Sequence, residues 1–203
     1  MRKLIEHYHK AFQNLLNSVR VTDESGVNLG FASGIEMSCN LVRRQSDAGG
    51  KIFFIGNGGS AAIANHMAID FWKNGSIRAM SFSDSSALTC ISNDFGYEHV
   101  FAKPIEFFVD QNDILFAISS SGRSKNILNG VEAMLTRGSA VITLSGFGKN
   151  NLLSSKGACN FYVPSNEYGF VEVAHQYICH CILDALIRER KHSEKDHGGR
   201  RWA

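Results

Sequence analysis

One repeated order constrains this chain more than any other feature: a short apolar run, a turn rich in glycine or serine, then a segment of helical periodicity. Residues 51–55 form a β-prone run that enters Gly56-Asn57-Gly58-Gly59, and 60–72 then reads as a helix. The order repeats as strand 77–82 with helix 85–91, and as strand 113–118 with helix 125–136. A strand at 140–144, a short helix at 151–155, a last strand at 159–163 and a long closing helix at 170–191 complete it. Short, almost wholly apolar strands alternating with helices require a parallel sheet covered on both faces, so the expected fold is α/β, doubly wound. In such sheets ligands gather beyond the carboxyl ends of the strands, where turns into helices expose backbone N–H groups.

Two amphipathic helices precede the first strand, at 4–19 and 28–45, separated by a turn over 22–26 that holds Asp23, Ser25 and Gly26. Their spare apolar faces point to burial between subunits. A length of 203 residues suits one core, taken as a single domain over 1–192 with 193–203 a frayed polar tail. Hydrophobic residues at 44% and only two prolines exclude fibrous and disordered classes. The formal charge is +2, with much of the excess in 188–201, so the folded body is near neutral and bulk electrostatic binding of nucleic acid is not expected. No apolar run approaches the ~20 residues of a membrane span, and the first residues lack a secretory apolar region, so a cytoplasmic protein with no membrane partner is expected. The five cysteines are odd in number and form no Cys-x-x-Cys pair, which argues against a disulfide frame or a four-thiolate zinc site.

Two turns are suited to phosphate. In Gly56-Asn57-Gly58-Gly59-Ser60 the glycines let backbone approach a ligand closely, at the start of a helix. This turn nearly fits the dinucleotide fingerprint, as Gly56-x-Gly58-x-x-Ala61 with Asp84 downstream, which leaves a dehydrogenase as an alternative; the lack of a following Lys-Ser/Thr excludes a nucleotide P-loop. The second turn, Ser119-Ser120-Ser121-Gly122-Arg123-Ser124, offers four hydroxyls between an apolar strand and a helix. Capping that helix needs one serine rather than four. Two hydroxyl-rich turns on one sheet suit a small polyol phosphate, whose own hydroxyls would use Asn57 and the Asn93-Asp94 pair.

Together, Gly56-Asn57-Gly58-Gly59-Ser60-Ala61-Ala62, Ser92-Asn93-Asp94-Phe95-Gly96-Tyr97-Glu98 and Ser119-Ser120-Ser121-Gly122-Arg123-Ser124 resemble the sugar isomerase (SIS) domain family, in particular its phosphoheptose isomerase group. The resemblance covers nearly the whole chain. It implies a five-stranded parallel sheet flanked by helices, a homotetramer, and conversion of sedoheptulose 7-phosphate to D-glycero-D-manno-heptose 7-phosphate for surface polysaccharide synthesis. By the same resemblance Ser119, Ser120, Ser121 and Ser124 grip the phosphate, while Asn57, Gly58, Gly59, Ser60, Asn93 and Asp94 line the sugar. It also implies a zinc site of His and Glu on the helix after the glycine turn, and Gln and His on the last helix. Those positions carry His66, Asp70, Glu172 and His180, so two of the four differ. An arginine expected near the start of the last helix is absent from Asn166-Glu167-Tyr168-Gly169-Phe170-Val171-Glu172, which bears on the identity of the sugar.

Aldose–ketose isomerisation moves a proton between neighbouring carbons through an enediolate, and needs a base, an acid and positive charge beside the developing oxyanion. By resemblance Asp70 is the base and His180 the acid. Asp is one methylene shorter than the family's Glu, about 1.5 Å, and Glu172 is a second candidate for the base. From spacing alone, His66 and Asp70 are as readily a surface helix pair, and His180, like His175, as readily a packed core histidine. A non-enzymatic SIS protein, a sugar-phosphate sensor or a replication-initiator-binding protein, is the second reading.

Overall fold

A computed structural model describes residues 1–196. The elements are α1 (Arg2–Asn17), β1 (Arg20–Asp23), α2 (Phe31–Asp47), β2 (Ile52–Gly56), α3 (Gly59–Lys73), β3 (Ala79–Ser81) and α4 (Ser85–Phe95). A turn of 3-10 helix (Tyr97–His99) leads to α5 (Ala102–Phe108), β4 (Ile114–Ser119), α6 (Lys125–Thr136), β5 (Ala140–Ser145), β6 (Cys159–Tyr162) and α7 (Tyr168–Asp196). The expected tail divides: α7 continues to Asp196, and 197–203 lie outside the described residues.

The sheet has six strands in the order β1-β6-β5-β4-β2-β3, all parallel except β1, which pairs antiparallel with β6. Alternation along each strand divides the core in two. Ile52, Phe54, Ile114, Phe116, Ile142, Leu144 and Phe161 face α2, α3 and α7, while Phe53, Ile55, Leu115, Ala117 and Val141 face α5 and α6. The Phe54 ring stacks on Phe116 with centroids 4.8 Å apart and tilts against Phe71 of α3 at 5.3 Å. From β2 the chain crosses to β3 on one side and then returns to β4 on the other, so the topological switch point, where an open α/β sheet leaves a crevice, lies between β2 and β4.

Three expectations are corrected. The sheet has a sixth strand, β1, where a turn over 22–26 is expected: Val21 is fully buried and the backbone of 20–23 covers the β6 edge that would otherwise stand open. The turn formers act just afterwards, with Asp23 Oδ1 accepting from Ser25 N and Val27 N. Residues 151–155 are turns rather than helix, because Asn151 draws local hydrogen bonds to its side chain: its Nδ2 donates to the Gly148 carbonyl, and its Oδ1 accepts from Ser154 N. The long α7 is apolar enough over Tyr168–His192 to meet the length and composition of a membrane span. Its apolar side is the core of this domain, with Val171, Ala174, Ile178, Cys179, Ile182 and Leu183 buried against the sheet and neighbouring helices.

At the opposite end from the switch point, Asp113 joins β2 to β4. Its fully buried carboxylate accepts from Lys51 N at 2.6 Å and Asp110 N at 2.7 Å and lies 3.1 Å from Lys51 Nζ. Asp113→Ala leaves these donors facing a void, and urea unfolding should show a loss of about 3 kcal/mol or more.

Candidate functional site

Both helices that begin at the switch point start without a side-chain cap. Gly58 is the N-cap of α3, in a positive-φ conformation (54°), and Ser124 is the N-cap of α6. Serine normally caps a helix with its own hydroxyl, yet Ser124 makes no such bond, whereas Asp84 caps α4 through Ala87 N at 2.9 Å. The other hydroxyls are equally telling. Ser119 Oγ accepts from Gly122 N at 3.2 Å and Ser121 Oγ from Arg123 N at 3.3 Å, so each keeps its O–H free to donate outward. Ser120 Oγ is buried with no protein partner. All four serines line one pocket of about 240 Å³ together with Asn57, Gly58, Gly59, Ser60, Tyr168 and Glu172. Converging hydroxyl donors between two uncapped helix N-termini form an arrangement that can hold a tetrahedral anion.

Asn57 is fixed from two sides. Its Oδ1 accepts from Asn126 Nδ2 at 2.8 Å and Tyr97 Oη at 3.1 Å, and its Nδ2 donates to Asn126 Oδ1 at 2.9 Å. This reciprocal amide pair locks the glycine turn to the first turn of α6. Asn93 and Asp94 do not line the pocket of a single chain. They are exposed on the last turn of α4, where Asn93 Nδ2 donates to Asp94 Oδ1 at 2.9 Å, and they stand just before Tyr97.

Helices α3 and α7 run side by side in the same direction, with Glu172 opposite Gly59, His180 opposite His66 and Asp70, and Arg190 Nη1 donating to the Gly75 carbonyl at 2.8 Å. The Glu172 carboxylate lies so close over Gly59 that any Cβ there would overlap it. It therefore sits at the positive end of the α3 dipole, inside the hydroxyl-lined pocket. His66, Asp70 and His180 form a separate cluster whose ligand atoms all lie within 4.8 Å of one another, with His66 Nε2 and Asp70 Oδ2 3.3 Å apart. Two imidazoles and a carboxylate at such distances fit a divalent ion with one open position, since tetrahedral ligands about 2.1 Å from zinc stand roughly 3.4 Å apart. The fourth residue of the expected set does not join them. Glu172 precedes His180 by eight residues, about 12 Å of helix rise, and its carboxylate faces the pocket instead. The flanking thiols do not join the cluster: Cys179 is buried in the core, where burial pushes its pKa up to about 12, and Cys181 is not among the cluster's ligand atoms.

His175 is the packed histidine that the apolar helix leads one to expect, fully buried, with Nε2 3.1 Å from the Ser145 carbonyl. Burial holds its pKa down to about 4. Sequence reasoning did not find Tyr168, Asn126 or Tyr97; Asn126, two residues beyond the N-cap serine, was the one with a positional signal.

The SIS domain family profile matches residues 7–146. A phosphoheptose isomerase of Campylobacter concisus is 32% identical over 180 residues, which are 86% of this chain and 94% of that protein. A phosphoheptose isomerase of Coxiella burnetii is 36% identical over 155 residues, 72% of this chain and 78% of the relative. The solved phosphoheptose isomerase of Neisseria gonorrhoeae superposes with a TM-score of 0.77 at 26% identity, covering 91% of this chain and 97% of that one.

Proposed function

The chain belongs to the SIS domain family, and on that premise we propose that it is an aldose–ketose isomerase acting on sedoheptulose 7-phosphate, yielding D-glycero-D-manno-heptose 7-phosphate for surface polysaccharide precursors. The observation that carries this reading is the set of four serine hydroxyls, one buried without a partner and one declining to cap its helix, gathered around a pocket that also holds a carboxylate. The serines and the two helix ends take the phosphate, which leaves the open-chain sugar to run toward Glu172 and the Asn57 turn. A protein that only senses sugar phosphate has no need of a carboxylate beside the anion, where like charge weakens binding. Its presence supports proton transfer.

Glu172 is the base in this reading. It removes a proton from carbon one of the ketose to give the enediolate and returns it to carbon two, while the hydroxyl proton of oxygen one passes to oxygen two. Asp70, the base that resemblance implies, points into the His66–His180 cluster and is already within ion-pair distance of His66. His66, Asp70 and His180 would hold zinc, which when bound supplies positive charge to the developing oxyanion. Ile69 and Trp72 on α3, Val173 and Tyr177 on α7, and Leu4, Ile5 and Tyr8 on α1 are exposed. These apolar surfaces support a closed oligomer, a tetramer by family resemblance, in which the cluster and His180, as acid, lie against a neighbour's serine pocket. All five cysteines are unpaired, in keeping with a reducing cytoplasm. A single sheet spanning β1 to β6 and closed by α7 supports one domain over 1–192.

Two outcomes are expected. Ser120→Ala should leave the unfolding temperature unchanged or higher, since it removes an unpaired buried hydroxyl, while inhibition by inorganic phosphate weakens roughly tenfold or more. Glu172→Gln should lower kcat by about 100-fold or more with KM little raised and bound metal retained, whereas Asp70→Asn should lower zinc content measured by atomic absorption. Full turnover by Glu172→Gln would return the base to Asp70.

A further inference from the structure

We propose that His175 is a positioning residue for phosphate binding: it holds the end of β5 so that the Ser120 hydroxyl is presented to the pocket. The inference rests on the reading that the serine loop takes the phosphate. His175 lies on the inward side of α7, fully buried, with Nε2 3.1 Å from the Ser145 carbonyl oxygen. A carbonyl only accepts, so Nε2 carries the proton and Nδ1 is left as a bare acceptor, buried with no protein partner.

That arrangement is poor as a device for stability. The Ser145 carbonyl already accepts from Val163 N at 2.9 Å, so the sheet does not need the imidazole. A buried acceptor without a partner costs free energy, which an apolar side chain of similar volume would avoid. What the imidazole does supply is a fixed end to a short chain of contacts. Ser145 is paired with Ser119 in the register of β4 and β5. The next residue, Gly146, donates its N–H to the Ser120 carbonyl at 3.0 Å. Gly146 has no room for a Cβ, which would stand 2.7 Å from Val171, one helical turn before His175 on α7. The 145–146 peptide is thus pressed between α7 and the serine loop, and His175 is the hydrogen bond that sets its position. Asn151 holds the groups that flank this peptide, with Nδ2 3.2 Å from the Ser145 side-chain Oγ and 3.3 Å from the Gly146 carbonyl. At the end of this chain stands Ser120, a residue of the pocket lining whose Oγ is buried without a protein partner. Burial, which holds its pKa down to about 4, keeps His175 neutral across the neutral range, and the Ser145 carbonyl sets Nε2 as the protonated nitrogen.

Kinetics of the full chain with sedoheptulose 7-phosphate, and inhibition by inorganic phosphate, test this with His175→Leu and His175→Gln. Leu removes the donor at similar volume; the Gln amide nitrogen takes the place of Nε2. The expected result is a His175→Leu protein that unfolds at or above the parent temperature, with KM and the phosphate inhibition constant each raised about tenfold or more and kcat within about threefold. His175→Gln should return both constants to within about threefold of the parent. Unchanged KM and phosphate inhibition in His175→Leu would overturn the proposal. So would a His175→Leu chain that fails to fold or unfolds much earlier, since the imidazole would then be held for stability, and so would a folded His175→Gln that restores neither constant. A parent protein that phosphate does not inhibit would refute the reading of the pocket itself, a distinct failure visible before any variant is compared.

Discussion

Hydrogen-bond donors without internal partners at the carboxyl ends of β2 and β4 are the constraint around which the rest of this structure is arranged. A parallel sheet buried on both faces has only its ends to offer a ligand, and the switch point concentrates two helix N-termini at one end. Ordinary folds satisfy such ends with a capping side chain. Here the side chains at hand are serines turned away from capping, and glycine at the start of α3 clears the space beside Glu172. Ile127 N is taken by Asn126 Oδ1 at 3.0 Å, while the N-cap residues Gly58 and Ser124 make no side-chain cap bond, and an anion can complete the donors that remain.

The groove between α3 and α7 separates two tasks. At its near end the Glu172 carboxylate shares a pocket with the serine loop; about two helical turns further along α7, His66, Asp70 and His180 gather as a potential metal centre. Because the helices run in the same direction, packed through Phe71, Met67 and the buried side of α7, this spacing is set by the core rather than by loops. Exposed apolar residues lie on both of these helices, Ile69 and Trp72 on α3 and Val173 and Tyr177 on α7.

Much of this was legible in the sequence because it depends on local pattern. The apolar runs at 52–56, 114–119 and 140–145 are strands within a residue or two of where periodicity puts them, since strands buried on both faces carry a signal that turns cannot mimic. The serine loop and the glycine turn were legible for a related reason, because hydroxyls and glycines at a strand-to-helix junction have few other uses. β1 was not, because Arg20–Asp23 is a strand only by virtue of the β6 edge it covers. Helix α5 went unread, with Ala102, Ile105 and Val109 at helical spacing but buried against residues far away in sequence. In the site, the Asn57–Asn126–Tyr97 lock joins three separated segments, and Glu172 was grouped with His180 by the family resemblance, although eight residues set the two about 12 Å apart along one helix.

A crystal structure of the protein with sedoheptulose 7-phosphate would examine the account most directly. The phosphorus should lie among the hydroxyls of residues 119–124, with carbons one and two of the extended sugar beside the Glu172 carboxylate. A phosphate found elsewhere, or a sugar lying in the reverse direction with its reactive carbons against the serines, would contradict it.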